Sequence, residues 1–259
     1  MAIVTLTTDW GDSDYYPGAM KGILLSNAPD TVIVDISHFI EPYDHLHGRW
    51  VLGNCWFLYP DKTVHVIGFR GTDGNDGYTV VAEYMNHFFI GSNDGFLSLL
   101  FGKDPDKIYY VLSSDGEKVR PDYEVLATSA AFLSKGGKIK DMGHPVENVV
   151  SKKLFTPVVE DSHMSGYVTF IDRFGNLITN ITKSLFEDVS KSRSFEIYLR
   201  AREYIIDKIS SSYEDVSPSD LVAFFNAAGH LEIAMRNGDA SQLLGINLND
   251  VIRVEFNDN

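Results

Sequence analysis

The segment Ile171–Ile181 holds polar side chains that are too closely spaced, between apolar residues, for an ordinary strand. Gly175 supplies the backbone freedom that a sharp turn needs, because a positive φ costs it no Cβ clash. Phe174 offers an apolar face, and Asp172 and Asn176 place a carboxylate and an amide on either side of it. This set suits a small zwitterion or amine held beside an apolar surface. Judged alone, the segment is explained at least as well by a hairpin turn in which Asn and Gly do turn chemistry.

Two more carboxylates stand where the first strand of the chain ends. The β-branched run Ile3–Thr7 predicts a buried strand, and the turn after it contains Asp9 and then Asp14. Ligands of α/β proteins collect at the carboxyl ends of the strands, so both aspartates are candidate binding residues. A carboxylate there could accept both hydroxyls of a ribose, or it could hold a divalent metal. An acid cluster stabilised by a helix N-terminus explains the pair equally well.

The remaining polar motifs favour structural interpretations. The loop at 71–77 lacks the terminal glutamate of an EF-hand and the Lys-Ser/Thr of a Walker loop, so a turn is the simpler interpretation. His45 and His47 are two residues apart, which points them to opposite sides of a helix and makes them a poor metal pair. Cys55 lies in an apolar run and predicts a buried structural thiol. No spacing in the sequence requires a metal.

Composition limits the classes of function. Of the 259 residues, 44% are hydrophobic and 12% aromatic, which is enough for a real core in one large or two unequal domains. With 36 acidic against 22 basic residues the formal net charge is −14, so nucleic acid and anionic membranes are poor partners. No basic N-terminal segment and no stretch of membrane-spanning length is present. We therefore expect a soluble, cytoplasmic protein.

Strands and helices alternate through roughly the first 150 residues. The pattern predicts strands at Ile3–Thr7, Thr31–Ile36 and Thr63–Phe69, helices at Pro17–Ser26, 43–58 and Val125–Leu133, and a hairpin of Thr79–Glu83 with His87–Gly91. This alternation predicts an α/β domain over residues 1–150, with a mostly parallel sheet flanked by helices.

The character of the chain changes after Pro157. Short strands with turn signals between them and little helix are predicted at Gly166–Ile171, Phe195–Leu199, Leu221–Asn226, Leu231–Met235 and Val251–Phe256. Such a series predicts a small antiparallel β-barrel or sandwich. We place a linker at 151–165 and the barrel domain at 166–259.

Four motifs along the chain, kept in order, resemble one known family. They are Thr5–Gly11 with Asp14 and Met20–Gly22, then Asn27–Pro29 with Val34–His38, then Ile171–Ile181, and finally Asn226–Gly229 with Leu231–Ala234. Together they resemble the motifs of the S-adenosylmethionine (SAM) hydroxide adenosyltransferases, the family that also includes fluorinases and chlorinases. The resemblance covers nearly the whole chain, and four ordered motifs are far more specific than any single one.

The resemblance implies an α/β domain, a C-terminal β-barrel and a homotrimer, with the ligand between one subunit's N-terminal domain and the neighbour's barrel. By the same resemblance Asp9 would hold the ribose hydroxyls, and Asp172, Phe174 and Asn176 would hold the methionine part. An ammonium group needs such a carboxylate and a desolvating wall. SAM would be substrate or ligand, and no cofactor would be required.

The family reaction is displacement at the ribose 5′ carbon, with methionine as the leaving group. In hydrolytic members an Asp, an Arg and a His position and activate the water. This sequence departs from that set, since Arg70 falls where the aspartate belongs, Gly77 about where the arginine belongs, and Pro121 where the histidine belongs.

Three hypotheses follow from this departure. The protein could still transfer the adenosyl group to water, with substitute groups at the altered site, the candidates being Arg70, Asp73, Asp122 and Glu124. It could bind an adenosine-type ligand without catalysis, or act with another nucleophile or nucleoside. A halide is disfavoured because the acidic surroundings would repel an anion. The first hypothesis is preferred, since the binding motifs survive better than the catalytic ones.

Overall fold

The computed structural model describes residues 2–69, 77–200 and 204–257. The chain divides into two compact units, Met1–Leu154 and Phe155–Asn259, and each has its own hydrophobic core.

The first unit is built on a six-stranded sheet. Its strands are β1 (Ile3–Thr8), β2 (Val32–Ser37), β3 (Val64–Gly68), β4 (Thr79–Tyr84), β5 (His87–Ser92) and β6 (Lys107–Tyr110). Its helices are α1 (Tyr16–Asn27), α2 (His45–Gly53), α3 (Phe96–Phe101) and α4 (Tyr123–Ser134), with short 3₁₀ turns at Trp56–Leu58 and Ile139–Asp141. The strand order is β2-β1-β3-β5-β4-β6. β1 pairs in parallel with both neighbours and β3 with β5, whereas β4 is antiparallel to β5 and β6. The predicted α/β class is confirmed.

Burial explains why these segments take these forms. Every residue of β1 after Ile3 is buried, as expected for a parallel strand covered on both faces. α1 begins with a proline in its first turn and buries Met20 and Leu24. α4 packs beside α1 and buries a small-residue face that includes Ala127 and Ala130, which lets the helix lie close to the sheet.

One helix prediction was wrong in its length. The stretch 43–58 contains α2 and a separate 3₁₀ turn rather than a single helix. Asp44 caps the start of α2 by accepting from Leu46 N and His47 N. The helix ends at Gly53, a residue that raises the cost of continuing a helix.

The second unit is an antiparallel, nearly closed, barrel-like sheet. Its strands are β7 (Val158–Val159), β8 (His163–Ile171), β9 (Leu177–Thr182), β10 (Ser194–Tyr198), β11 (Ile205–Ile206), β12 (Leu221–Phe225), β13 (His230–Met235) and β14 (Val251–Asn257). Its helices are α5 (Lys183–Ser190) and α6 (Ala240–Leu244), with a 3₁₀ turn at Tyr213–Asp215. The order is β11-β10-β14-β8-β9-β13-β12, with β7 beside β8. A bridge between Ile209 and Ala223 joins the two ends of this order, which nearly closes the sheet.

The second unit also holds elements that were not predicted from the sequence. β8 begins at His163, inside the stretch predicted as a linker, because residues 163–167 pair with β14. β9 follows the turn at 172–176 as a separate strand, and α5 follows β9 directly. Within the described ranges, no helix is long and apolar enough to cross a membrane.

Candidate active site

Asp9 lies at the carboxyl edge of the first sheet. It follows Thr8, the last residue of β1, and β1 has β2 on one side and β3 on the other. Connections that leave a strand in opposite directions open a crevice at its carboxyl end, which is where α/β proteins bind ligands. Asp9 is half-buried there, whereas Asp14 is exposed and accepts a hydrogen bond from Tyr15 N at 2.6 Å. The geometry therefore favours Asp9 as the binding carboxylate of the two.

An aromatic cluster that was not predicted from the sequence stands beside Asp9. The ring centroids of Trp10 and Tyr16 are 6.2 Å apart, those of Tyr15 and Tyr16 4.5 Å, and those of Tyr16 and Tyr123 5.8 Å. Tyr15 is 61% exposed, and hydrogen bonding to the Tyr16 side chain raises the pKa of the Tyr15 phenol. Flat apolar faces next to a carboxylate suit a nucleoside, whose base stacks and whose sugar donates hydrogen bonds.

Gly68, the last residue of β3, lets Trp10 pack against this edge. A Cβ at position 68 would lie 2.7 Å from Thr8 Cγ2 and 2.8 Å from Trp10 Cζ2, closer than side-chain atoms approach one another. A glycine is therefore needed at position 68 if the indole of Trp10 is to cover the strand end.

Two of the four proposed catalytic candidates have a clear structural place. Asp122 is the N-cap of α4, where its Oδ1 accepts from Val125 N at 2.8 Å. Glu124 lies in the first turn of the same helix, and both side chains are exposed. The other two candidates, Arg70 and Asp73, lie outside the described residues. For Asp122 the capping role explains the residue type without any catalysis.

Arg120 is a cation that the sequence motifs did not single out. Its guanidinium lies 5.1 Å from the ring centroid of Tyr78, and its Nη1 lies 3.2 Å from the place where a Cβ on Gly77 would stand. Ser92 Oγ lies 3.7 Å from the same place, and this buried hydroxyl has no hydrogen-bond partner among the described residues. A guanidinium thus occupies the space in front of Gly77, although the residue that carries it is far away in sequence.

The histidines near this edge are tied into the structure. His38 Nδ1 lies 2.8 Å from Thr8 Oγ1. The buried His45 lies between two groups, with Nε2 3.2 Å from Asp94 Oδ2 and Nδ1 3.4 Å from Lys152 Nζ. His47 Nδ1 instead accepts from a backbone amide. In the part of the chain that the structure describes, no group of three or more His, Cys, Asp or Glu side chains could hold a metal ion.

In the second unit, the Asp172 turn is built by its own side chain. Asp172 Oδ1 accepts from Phe174 N and from Asn176 N, each at 2.9 Å, and Oδ2 accepts from Asn176 Nδ2 at 2.9 Å. Gly175 has a φ of +79°, and a Cβ on it would overlap the Asp239 carboxylate. Phe174 is 74% exposed at the tip of the turn. Turn chemistry and an exposed apolar side chain therefore coexist in this segment.

A buried network of hydrogen-bonded polar side chains contacts the 172–176 turn through Asn176. Asn176, which is 4% exposed, donates from Nδ2 to Tyr213 Oη at 3.4 Å. Tyr213 donates to Glu232 Oε1 at 2.6 Å, and Asn226 Nδ2 donates to Glu232 Oε2 at 3.1 Å. Burial, followed by the hydrogen bond to Glu232, raises the pKa of Tyr213. In the sequence, this network is signalled by a carboxylate, Glu232, between the apolar residues of β13.

Both units of the chain match models of known protein domains. Residues 4–143 match the model of the SAM hydroxide adenosyltransferase N-terminal domain, and residues 166–253 match that of the C-terminal domain. The chain belongs to the SAM hydroxide adenosyltransferase family. Asp9 and Asp14 fall in the first matched range, and Asp172, Phe174 and Asn176 fall in the second.

Relatives of this SAM hydroxide adenosyltransferase family member match over nearly its whole length. The (R)-S-adenosyl-L-methionine hydrolase of Methanocaldococcus jannaschii is 30% identical over 265 residues, covering 98% of this chain and 96% of that protein. The hydrolase of the same name from Salinispora arenicola is 26% identical, with 97% of each chain covered. A fluorinase of Nocardia brasiliensis is 25% identical and covers 90% of this chain and 89% of its own.

Two solved structures share the fold of this chain. The crystal structure of an uncharacterized conserved protein from Thermotoga maritima is 26% identical, with a TM-score of 0.82 over 98% of this chain and 99% of that one. A conserved hypothetical protein from Thermus thermophilus, 22% identical with a TM-score of 0.77, covers 99% of this chain and 100% of its own. At that identity the second likeness concerns the fold alone.

Proposed function

We propose that this protein hydrolyses S-adenosylmethionine to adenosine and methionine. The observation that supports the proposal is that Asp9 at the sheet edge and the Asp172 turn in the barrel, which the resemblance assigns to ligand binding, are both present in a chain that matches named hydrolases over nearly its whole length. A protein that had abandoned the adenosyl ligand would have little reason to keep either feature.

The first unit takes the nucleoside end of the substrate. The Asp9 carboxylate accepts hydrogen bonds from the ribose hydroxyls, and charge-assisted bonds of this kind are about twice as strong as neutral ones. The exposed faces around Tyr15 and Tyr16 supply apolar area for the sugar and base. Asp14, exposed at the rim, contributes charge rather than a buried contact.

The second unit takes the methionine end. Asp172 and Asn176 offer oxygen acceptors to the ammonium group, and Phe174 covers the methylene groups between the α-carbon and the sulfonium. The barrel holds this turn rigidly, since β8 and β9 leave it in adjacent positions of the sheet. A fixed clamp lowers the entropy cost of holding the substrate in line for attack.

The reaction itself asks little covalent chemistry of the protein. A water oxygen forms a bond to the ribose 5′ carbon while the bond from that carbon to sulfur breaks, and the electron pair returns to sulfur to give the neutral thioether of methionine. The water proton passes to solvent. Because the sulfonium is already a good leaving group, we propose that no cofactor is needed.

We further propose that Arg120 takes the place of the arginine that the family resemblance puts near Gly77. Its guanidinium fills the space in front of Gly77, and a fixed positive charge there favours hydroxide over water as the nucleophile. In this proposal Asp122 and Glu124 stabilise the N-terminus of α4 and take no part in catalysis. The chain lacks the Asp-Arg-His set of the hydrolytic members. By the resemblance, the protein is a homotrimer, which sedimentation would show as three times the mass of one chain.

Steady-state release of adenosine and methionine from SAM, followed by chromatography, tests the proposed activity. Turnover above the uncatalysed background supports the proposed hydrolysis, and no turnover above background contradicts it. In that case, calorimetric titration with adenosine and with SAM decides whether the protein is a binder that has lost catalysis. If neither titration shows binding, the protein does not bind adenosine-type ligands.

The Arg120 proposal has its own variants. Arg120→Ala is expected to lower kcat roughly tenfold or more at pH 7, and less at higher pH where hydroxide is more abundant. Lys118→Ala is the matched control, because Lys118 Nζ also lies over the Tyr78 ring, at 5.6 Å from its centroid. An equal and small effect of both substitutions would contradict a role for Arg120.

A further inference from the structure

Glu232 is a buried carboxylate that the mechanism above does not use. It lies on β13, is 5% exposed, and accepts hydrogen bonds from Tyr213 and Asn226. Among the described residues, no Lys, Arg or His side chain forms an ion pair with it. Burial of an unpaired carboxylate is costly, so its two hydrogen bonds carry most of its stabilisation.

The donors and acceptors around Glu232 can be arranged in one way. Asn226 Oδ1 accepts from the backbone amides of Ala228 and His230, each at 3.1 Å, so its Nδ2 is the group that faces Glu232. An ionised carboxylate only accepts, so Tyr213 donates its hydroxyl proton to Glu232. The oxygen of Tyr213 is then left to accept from its other neighbour, Asn176.

The direction of the hydrogen bond between Tyr213 and Glu232 also fixes the orientation of the Asn176 amide in the 172–176 turn. Asn176 Nδ2 donates both to Tyr213 Oη, at 3.4 Å, and to Asp172 Oδ2, at 2.9 Å. With both amide hydrogens engaged, the Asn176 amide has its oxygen left as an acceptor. The Asp172 carboxylate and the Asn176 Oδ1 atom are then two acceptors on one turn, an arrangement that binds a donor-only group such as an ammonium.

We propose that Tyr213 and Glu232 are positioning residues that fix the orientation of the Asn176 amide, and so make the turn specific for ligands that carry an α-ammonium group. The inference rests on the proposed function for the identity of the ligand, but not for the orientation of the amide. It assigns Tyr213 and Glu232 a positioning role and predicts that they support discrimination against analogues that lack the amino group.

Replacement of Glu232 by glutamine reverses the donor and acceptor roles in the hydrogen bonds that join residue 232, Tyr213 and Asn176. In Glu232→Gln the amide oxygen must still accept from Asn226, so the amide nitrogen faces Tyr213 and donates to it. The Tyr213 hydroxyl proton then turns toward Asn176, whose amide must flip to accept it. The flipped amide loses its bond to Asp172 and presents nitrogen, a donor, to the ammonium group.

The kinetic test compares Glu232→Gln and Tyr213→Phe with the wild-type protein. We expect KM for SAM to rise roughly tenfold, the effect of a lost charge-assisted hydrogen bond, while kcat changes little. We also expect methionine to lose its binding advantage over 4-(methylthio)butanoate, the analogue without the amino group. Tyr198→Phe is the control, since it removes a hydroxyl bonded to Glu196 in the same unit.

A second measurement separates this inference from the proposed function. Nuclear magnetic resonance of the Asn176 side-chain amide, in protein without ligand, should show its two hydrogens shifted in Glu232→Gln and unshifted in Tyr198→Phe. If the wild-type protein hydrolyses no SAM but the amide signal still shifts, the proposed function fails and the orientation stands. An unshifted amide signal, or an unchanged preference for the amino group in a folded Glu232→Gln protein, would overturn the inference.

Discussion

In the proposed function, Asp9 is the side chain that binds the ribose of the nucleoside half. It is half-buried just after the end of β1, a strand that lies between β2 and β3 in the sheet. A carboxylate at this place accepts two hydrogen bonds from a sugar diol, whereas an amide of the same size accepts with one atom only. If Asp9 binds the ribose, its charge matters more than its shape.

Asp9→Asn is therefore expected to raise KM for SAM by roughly ten- to a hundredfold, which corresponds to the loss of one or two charge-assisted hydrogen bonds. Steady-state kinetics measures the effect, and thermal unfolding checks that the fold is kept. Asp30→Asn is the control, because Asp30 is an exposed aspartate in the turn before β2, at the opposite edge of the sheet. A wild-type KM in Asp9→Asn would remove Asp9 from the ligand site.

Residue types could be predicted from the sequence where the chemistry lies within one short segment. Asp172, Phe174 and Asn176 lie within five consecutive residues, so the sequence alone predicts their turn. Tyr213 contacts both Asn176 and Glu232 only because β9, β13 and a 3₁₀ turn bring distant positions together. Contacts of this kind depend on strand pairing, which a single sequence does not specify.

At the scale of elements, the need to cap α4 explains why an aspartate stands at position 122. Asp122 has the extended backbone of an N-cap residue and its carboxylate is bonded to Val125 N. N-cap aspartates contribute about 1 kcal/mol to stability, and asparagine performs the same task almost as well.

We expect Asp122→Asn to keep both stability and hydrolysis, and Asp122→Ala to lower the free energy of unfolding by about 1 kcal/mol with kcat retained. Urea unfolding and steady-state kinetics on the two variants measure these effects. If Asp122→Asn abolished hydrolysis while the protein stayed folded, Asp122 would act as an acid or base and the capping explanation would be insufficient.

The elements themselves followed from the sequence where one physical pattern dominated. The β-branched runs predicted β1 and β2, and the spacing of Met20 and Leu24 predicted α1. β9 was hidden because Thr179 and Asn180 interrupt its apolar pattern with side chains that hydrogen-bond to neighbouring backbone. Short elements such as α3 and α6 have too few residues to show a period.

For the whole molecule, a buried histidine pair links stability to pH. His65 on β3 is fully buried, with Nδ1 2.8 Å from Thr5 Oγ1 and Nε2 3.1 Å from His87 Nδ1. Burial, followed by the charge of His87, lowers the pKa of His65 to about 3 from an ordinary 6.5. Burial also lowers the pKa of His87. Both rings are therefore neutral in the folded protein at neutral pH.

The sign of the pH effect follows from these pKa values. Above about pH 6.5, His65 is neutral in both folded and unfolded chains and contributes no pH dependence. Below it the unfolded chain takes up a proton that the folded chain refuses, so stability falls by up to about 1.4 kcal/mol per pH unit until the pH nears 3. The wild-type protein is expected to lose stability between about pH 6.5 and 4.

Urea unfolding at pH 7.5, 6 and 5 measures this slope. His65→Gln lowers the absolute stability by disturbing the core, but it should flatten the slope relative to the wild type, because glutamine does not titrate. His47→Gln is the control, since His47 is only half-buried. Parallel slopes for the wild type and His65→Gln would show that the buried pair does not govern the pH response.

Transfer of the adenosyl group from SAM to water is the reaction on which the proposed function stands. It is tested most directly by incubating the purified protein with SAM in water enriched in oxygen-18 and weighing the products by mass spectrometry. We predict adenosine that carries one oxygen-18 atom and methionine that carries none. Intact SAM after long incubation, or adenosine without the label, would contradict it.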